Sequence, residues 1–245
     1  MTRLPEKRYV RERWYDAIDE SNKDRSAALK EVRRMFDEFV GVFSKPDKSV
    51  FREMEDAGWR GMGDIGILFC GGVYGSNIRI FSEIVREKKV IVAANMVSGM
   101  PYAAAIISYL KEKDCEADPA FLSYSTRHSI TFSNGSSMEN KVYIPESELM
   151  VLENNLKKAI VIADDTVGTL NSMNSIGDAL KRIGIERIFR TSLVDLSIDR
   201  MINVWYGNLR IFIWNERECR WETKETPSEN LRDDTGNFRN EKKFG

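Results

Sequence analysis

Two adjacent carboxylates, Asp164 and Asp165, end the apolar run Ala159–Ala163, and small or hydroxyl-bearing residues crowd the positions that follow: Thr166, Val167, Gly168, Thr169 and, past Leu170 and Asn171, Ser172. Acidic side chains accept hydrogen bonds from hydroxyl groups and hold hard cations through oxygen. A Gly/Thr/Ser loop opening a helix exposes backbone N–H groups where the helix dipole favours negative charge, so it suits a phosphate. Met173–Ile183 continues in helical periodicity. The spacing therefore predicts a buried strand, an acidic pair at its C-terminal end, a phosphate-binding loop and a helix. Open parallel sheets bind ligands at that end of their strands. The ligand implied carries hydroxyls at one end and a phosphate at the other, as ribose 5-phosphate does.

Those residues need a scaffold, and the chain supplies one. Val90–Ala94 reads as an apolar strand; Val97, Ser98 and Gly99 form a turn of small residues after it, and Pro101 suits the first position of a helix over Pro101–Lys113. Ala120–Ser125, Ala159–Ala163 and Arg187–Leu193 read as further strands, and Ser76–Lys88 and Ser172–Ile183 as helices. Ile65–Phe69 is another apolar run, followed by the tight glycine turn Gly71–Gly75. Alternation of short apolar strands with helices predicts an α/β fold, a buried parallel sheet wrapped by helices. Upstream, Pro5–Asp19 and Ala27–Phe43 predict two helices; in the second, Ala28, Val32, Met35, Phe36, Phe39, Val40 and Phe43 recur at helical spacing. The polar stretch Thr126–Glu146 reads as a hairpin or loop in which Ile130–Phe132 pairs with Lys141–Ile144 around Asn134-Gly135. Asn208–Trp214 has strand character, and the tail from Thr223 is polar. The organisation expected is an N-terminal helical extension over 1–60, an α/β domain over 61–222 and a polar tail over 223–245.

A strand ending in Asp164-Asp165, then a Thr/Gly/Ser loop and a helix, resembles the phosphoribosyl pyrophosphate motif of type I phosphoribosyltransferases. Ser98-Gly99-Met100-Pro101-Tyr102-Ala103 is similar to the earlier pyrophosphate loop of that family, and Thr126–Glu146 stands where its closing loop stands. The resemblance covers roughly Ile65–Trp214 and identifies the chain as a divergent member. It implies a phosphoribosyltransferase-like sheet, with Asp164 and Asp165 on the ribose and Mg²⁺. It further implies Thr166, Val167, Gly168, Thr169 and Ser172 on the 5-phosphate, Val97, Ser98 and Gly99 on the pyrophosphate, and Arg127 among the substrate contacts. The activity implied is transfer of a phosphoribosyl group to a nitrogenous base with release of pyrophosphate. The chain departs from the pattern at Leu170, where most members place glycine, and at Val97, where many place Arg or Lys. Those departures favour an alternative: a non-catalytic nucleotide-sensing or effector module of this fold, working through a protein partner in a bacterial multi-protein system. Self-association, or a partner bound through the N-terminal helices, is expected in either case.

Other readings of the same residues stay open or fall away. An Asp pair after a strand also opens receiver domains, though too little chain follows Asp165 for that fold, and Asp is common as a simple helix cap. Gly71–Gly75 lacks the spacing of a dinucleotide loop. His128, the sole histidine, sits beside Arg127 and either contacts pyrophosphate or is merely solvated. Met96, Met100 and Trp59, Trp205, Trp214 and Trp221 read as packing residues. With 42% hydrophobic and 31% charged residues, the 245-residue chain has the composition of a globular protein, and its net charge of −1 offers no general attraction to nucleic acid. Cys70, Cys115 and Cys219 are too scattered for a metal knuckle or a disulfide framework. The absence of a leader pattern and of a long apolar run predicts a cytoplasmic protein with no membrane span.

Overall fold

The computed structural model describes residues 4–44, 53–54, 56–59, 79–124, 130–131, 137–138, 142–167, 171–195, 210–215 and 220–225. The elements run α1 (Lys7–Ile18), α2 (Arg25–Phe43), α3 (Arg79–Arg86), β1 (Lys89–Asn95), α4 (Met100–Glu112), β2 (Glu116–Tyr124), β3 (Ile130–Thr131), β4 (Ser137–Met138), β5 (Val142–Tyr143), α5 (Glu146–Glu153), β6 (Ala159–Val167), α6 (Asn171–Ile183), β7 (Ile188–Asp195), β8 (Arg210–Asn215) and β9 (Arg220–Glu225). Five of the strands form one sheet in the order β5-β2-β1-β6-β7. All pairings in it are parallel except β2 with β5. The fold is thus α/β, a mostly parallel sheet flanked by helices, as the alternation predicts.

The central runs of β1 and β6 are apolar because both faces are covered, and their residues divide by the period of two. Val90, Val92 and Ala94 of β1, with Val161 and Ala163 of β6, enter a large core shared with α1, α2 and α4. Ile91, Ala93, Ile160 and Ile162 enter a smaller one with Leu152 of α5 and Met173, Ile176 and Leu180 of α6. The amphipathic stripe of α2 faces the large core as its spacing requires. Phe36 meets Phe121 edge-on at 5.2 Å, and Phe39 meets Trp59 at 5.3 Å. Trp59 is fully buried and donates its Nε1–H to Pro5 O at 2.8 Å. The N-terminal helices therefore share the core of the sheet. Met96 and Met100 pack as expected.

Four expectations need correction. β2 begins at Glu116, four residues before the predicted strand, because Lys89–Asn95 pairs with Glu116–Leu122 residue for residue; polar Glu116 and Asp118 on the partly exposed stretch hid the strand. In the polar stretch, Ile130 pairs with Met138 and Thr131 with Ser137, whereas Val142–Tyr143 joins the open edge of β2 at Ser123 and Tyr124. Helix α5 begins at Glu146, where only a loop was expected to end. The strand β9 reaches Glu225, so the first residues read as tail are paired with β8. Ile65–Phe69, Gly71–Gly75, Cys70, Cys219, His128 and Trp205 lie outside the described residues. Cys115 is buried and unbridged. No helix among the described residues is long and apolar enough to cross a membrane.

Candidate functional site

The chain leaves β1 toward β2 on one side of the sheet, while β6 and β7 lie on the other side of β1. The gap between the C-terminal ends of β1 and β6 is therefore the point where strand order reverses, and such a crevice is where open α/β sheets accept ligands. The two segments with candidate chemistry are the ones that follow these two strands.

After β1 the chain makes a tight turn over Met96–Gly99, with a cis peptide between Met96 and Val97. Met96 N donates to Leu122 O of β2 at 2.7 Å, and Gly99 N donates to Asn95 O at 2.9 Å. Gly99 caps α4, and Pro101 occupies the first turn, where a missing N–H costs nothing. The need for glycine here is one of space: a Cβ at Gly99 would fall 2.6 Å from Ala163 O and 2.8 Å from Asn95 O. The turn is pressed directly onto the end of β6. Val97 and Ser98 are half-buried on it, and Val97 packs against the large core.

The acidic pair differs from expectation in one respect. β6 does not stop at Ala163 but continues to Val167, since β7 offers partners up to Asp195: Asp164 pairs with Ser192, Thr166 with Val194 and Val167 with Asp195. Asp164, Asp165, Thr166 and Val167 thus lie within the strand, and α6 begins at Asn171. Asp164 is buried, at 4% exposure, and its Oδ2 accepts from Asn95 Nδ2 at 2.6 Å. Asn95 Oδ1 in turn accepts the backbone N–H of Tyr124 at 3.2 Å. One carboxamide so ties together the ends of β6, β1 and β2. Ser172 is half-buried in the first turn of α6, one residue after the helix begins. Gly168, Thr169, Leu170 and Arg127 lie outside the described residues, as do the side chains of Asp165, Thr166 and Val167.

Beneath the site, the Tyr102 hydroxyl on α4 meets Thr191 Oγ1 on β7 at 2.9 Å in the interior. Burial pushes the Tyr102 phenol up to about 12, against a smaller lowering by Thr191, so it stays protonated. Sequence reading missed the buried Asn95 contact at this crevice and the Tyr102–Thr191 pair beneath it. Asn95 carried the one available signal: a carboxamide closing an otherwise aliphatic strand. Among the described residues no group of three or more His, Cys, Asp or Glu gathers as a ready metal cage. A cavity of about 490 Å³ lined by Glu83, Arg86, Glu87, Arg187 and Phe189 opens at the start of β7, the opposite end of the strand from Asp195.

The sequence matches no family model, and no curated protein matches it. Among solved structures the chain is similar to a hypoxanthine phosphoribosyltransferase from Staphylococcus aureus, at 17% identity over 47% of this chain with a TM-score of 0.35. The match spans 59% of that enzyme, less than two thirds of its length. The chain is also similar to a purine phosphoribosyltransferase from Pyrococcus horikoshii OT3, at 11% identity over 54% of this chain and 76% of that one, with a TM-score of 0.36.

Proposed function

We propose that the crevice between β1 and β6 binds phosphoribosyl pyrophosphate, or a related ribose phosphate, with Mg²⁺. The observation that carries this reading is the contact of the Met96–Gly99 turn with the acidic end of β6 at the point where strand order reverses. In this arrangement the Asp164 and Asp165 carboxylates accept hydrogen bonds from the ribose hydroxyls. The N-terminal turn of α6, with Thr166, Val167, Gly168, Thr169 and Ser172 around it, takes the 5-phosphate. Val97, Ser98 and Gly99 line the pyrophosphate side, with Arg127 among the substrate contacts.

Mg²⁺ fits this donor set, because it keeps several waters and binds through one or two carboxylates plus phosphate oxygens and so needs no all-protein cage. Asp164 and Asp165 would hold it, and its charge would offset that of the leaving pyrophosphate. Transfer breaks the bond from the sugar C1 to pyrophosphate oxygen and forms one from C1 to a base nitrogen, which gives up its proton. The sugar carbon gains positive character on the way, and fixed carboxylates nearby stabilise it. Tyr102, held protonated by burial, is no acceptor for that proton.

A second reading keeps the ligand and drops the transfer: a nucleotide-sensing or effector module that works through a protein partner, with the N-terminal helices as its docking element. Val97 favours it, since an apolar residue packed on the core leaves Met96–Gly99 with no cation for pyrophosphate. Pyrophosphate release from phosphoribosyl pyrophosphate across a panel of purine and pyrimidine bases separates the two. Release dependent on one base supports the transferase; saturable binding with no release supports the module; absence of binding removes both.

A further inference from the structure

We propose that Asn95 is the residue that orients the Asp164 carboxylate toward the ribose end of the ligand, a positioning role that rests on the phosphoribosyl reading of the site. Asn is poorly suited to a strand, yet Asn95 ends β1 at 8% exposure after the buried run Val90–Ala94. Burying a carboxamide there is costly unless both its ends are hydrogen-bonded. Both are. Nδ2 donates to Asp164 Oδ2 at 2.6 Å, and Oδ1 accepts from Tyr124 N at 3.2 Å. These partners fix the orientation of the amide, because a backbone N–H can only donate and an ionised carboxylate can only accept.

The register supplies the reason for the pairing. Ala94 stands opposite Ala163, so the next residues along the parallel strands, Asn95 and Asp164, are neighbours. Asn95 is anchored on its far side to the main chain of β2, which cannot swing away, so Asp164 meets a fixed donor. Fixing a binding group before the ligand arrives lowers the entropy cost of binding. The main chain of Asn95 does separate work, its carbonyl accepting from Gly99 N to close the turn. A side-chain substitution at Asn95 therefore perturbs the acidic segment and leaves the turn's own hydrogen bond in place.

Calorimetric titration of the full chain with ribose 5-phosphate in the presence of Mg²⁺ and, separately, with pyrophosphate in its absence, where binding does not run through a cation on Asp164, tests this. Asn95→Ala is expected to weaken ribose 5-phosphate about tenfold while changing pyrophosphate by less than about twofold. In an Asp164→Ala background the same substitution adds no further loss. Equal losses for both ligands, or an undiminished loss without Asp164, would overturn the assignment. Asn95→Ser provides the same comparison if the alanine variant does not fold. If the unmodified chain binds neither ligand, the phosphoribosyl reading fails, and the Asn95–Asp164 contact is then decided in the free protein. There the Tm losses of Asn95→Ala and Asp164→Ala combine to less than their sum in the double variant if Asn95 holds Asp164, and to their full sum if it does not.

Discussion

Two carboxylates are buried against β2 and its neighbours, and different elements hold them. Glu148 of α5 is fully buried at the lateral edge of the sheet, where it accepts the backbone N–H of Phe121 at 3.1 Å and pairs with the Arg33 guanidinium of α2. Asp164 is buried at the C-terminal edge and accepts from the neutral Asn95 amide. The cation beside Glu148 offsets its charge, and the Phe121 N–H it takes lies on the edge of β2 beyond the reach of the short β5, so its duty is to seal that edge and bind α2 to the sheet. The Asn95 contact orients Asp164 without cancelling its charge.

That contrast can be broken by substitution. The largest effect is expected at Gly99, where valine would force its Cβ into Ala163 O and Asn95 O. Gly99→Val is predicted to cost about 3 kcal/mol in a denaturant titration and to abolish ligand binding, because it displaces the turn and the Asn95 clamp together. Retained stability would mean that the turn does not bear on β6.

Next comes Arg33→Met, which leaves Glu148 without its cation. Arg33 is about one-third exposed, so the expected loss is about 2 kcal/mol near pH 8, below that of a fully buried pair. The pH dependence has a definite sign. Burial raises the Glu148 carboxyl, opposed by Arg33 and the Phe121 N–H. A carboxyl raised on folding contributes its stability at low pH and loses it as the pH rises through the folded value. Removing Arg33 raises it further, so the variant's deficit should shrink as the pH falls toward about 4, where Glu148 is protonated in both proteins. A deficit independent of pH would show that Arg33 acts by packing on Phe121, whose ring it covers at 5.3 Å.

The smallest effect is expected at an uncharged buried pair. Tyr102→Phe removes the hydroxyl facing Thr191 and should cost about 1 kcal/mol with no change in ligand affinity. A loss of affinity in a protein of normal stability would bring Tyr102 into the site.

The contrast also separates what the sequence reveals from what it conceals. The aliphatic cores of β1 and β6, the stripe of α2 and the proline that opens α4 were legible, because period and residue type speak directly to burial and to helix starts. The two segments at the crevice were legible for the same reason, as apolar strands that end in polar or small residues. Glu148 was not: one of three glutamates in Glu146–Glu153, it looks solvated until α2, 115 positions upstream in the chain, brings Arg33 to it. Asn95 hid in another way, since only the register of β1 on β6 makes it the neighbour of Asp164. The end of β6 was misplaced because Asp164 and Asp165 are poor strand formers, a preference that pairing with β7 overrides.

The central claim is that the acidic end of β6 is a ribose-phosphate site. It is tested most directly by titrating phosphoribosyl pyrophosphate with Mg²⁺ calorimetrically into the unmodified chain and into the Asp164→Asn, Asp165→Asn double variant, whose residue 164 can still accept from Asn95. The account predicts saturable binding to the first and a loss of about a hundredfold or more in the second. Absence of binding to the unmodified chain, or equal affinity for both, would contradict it.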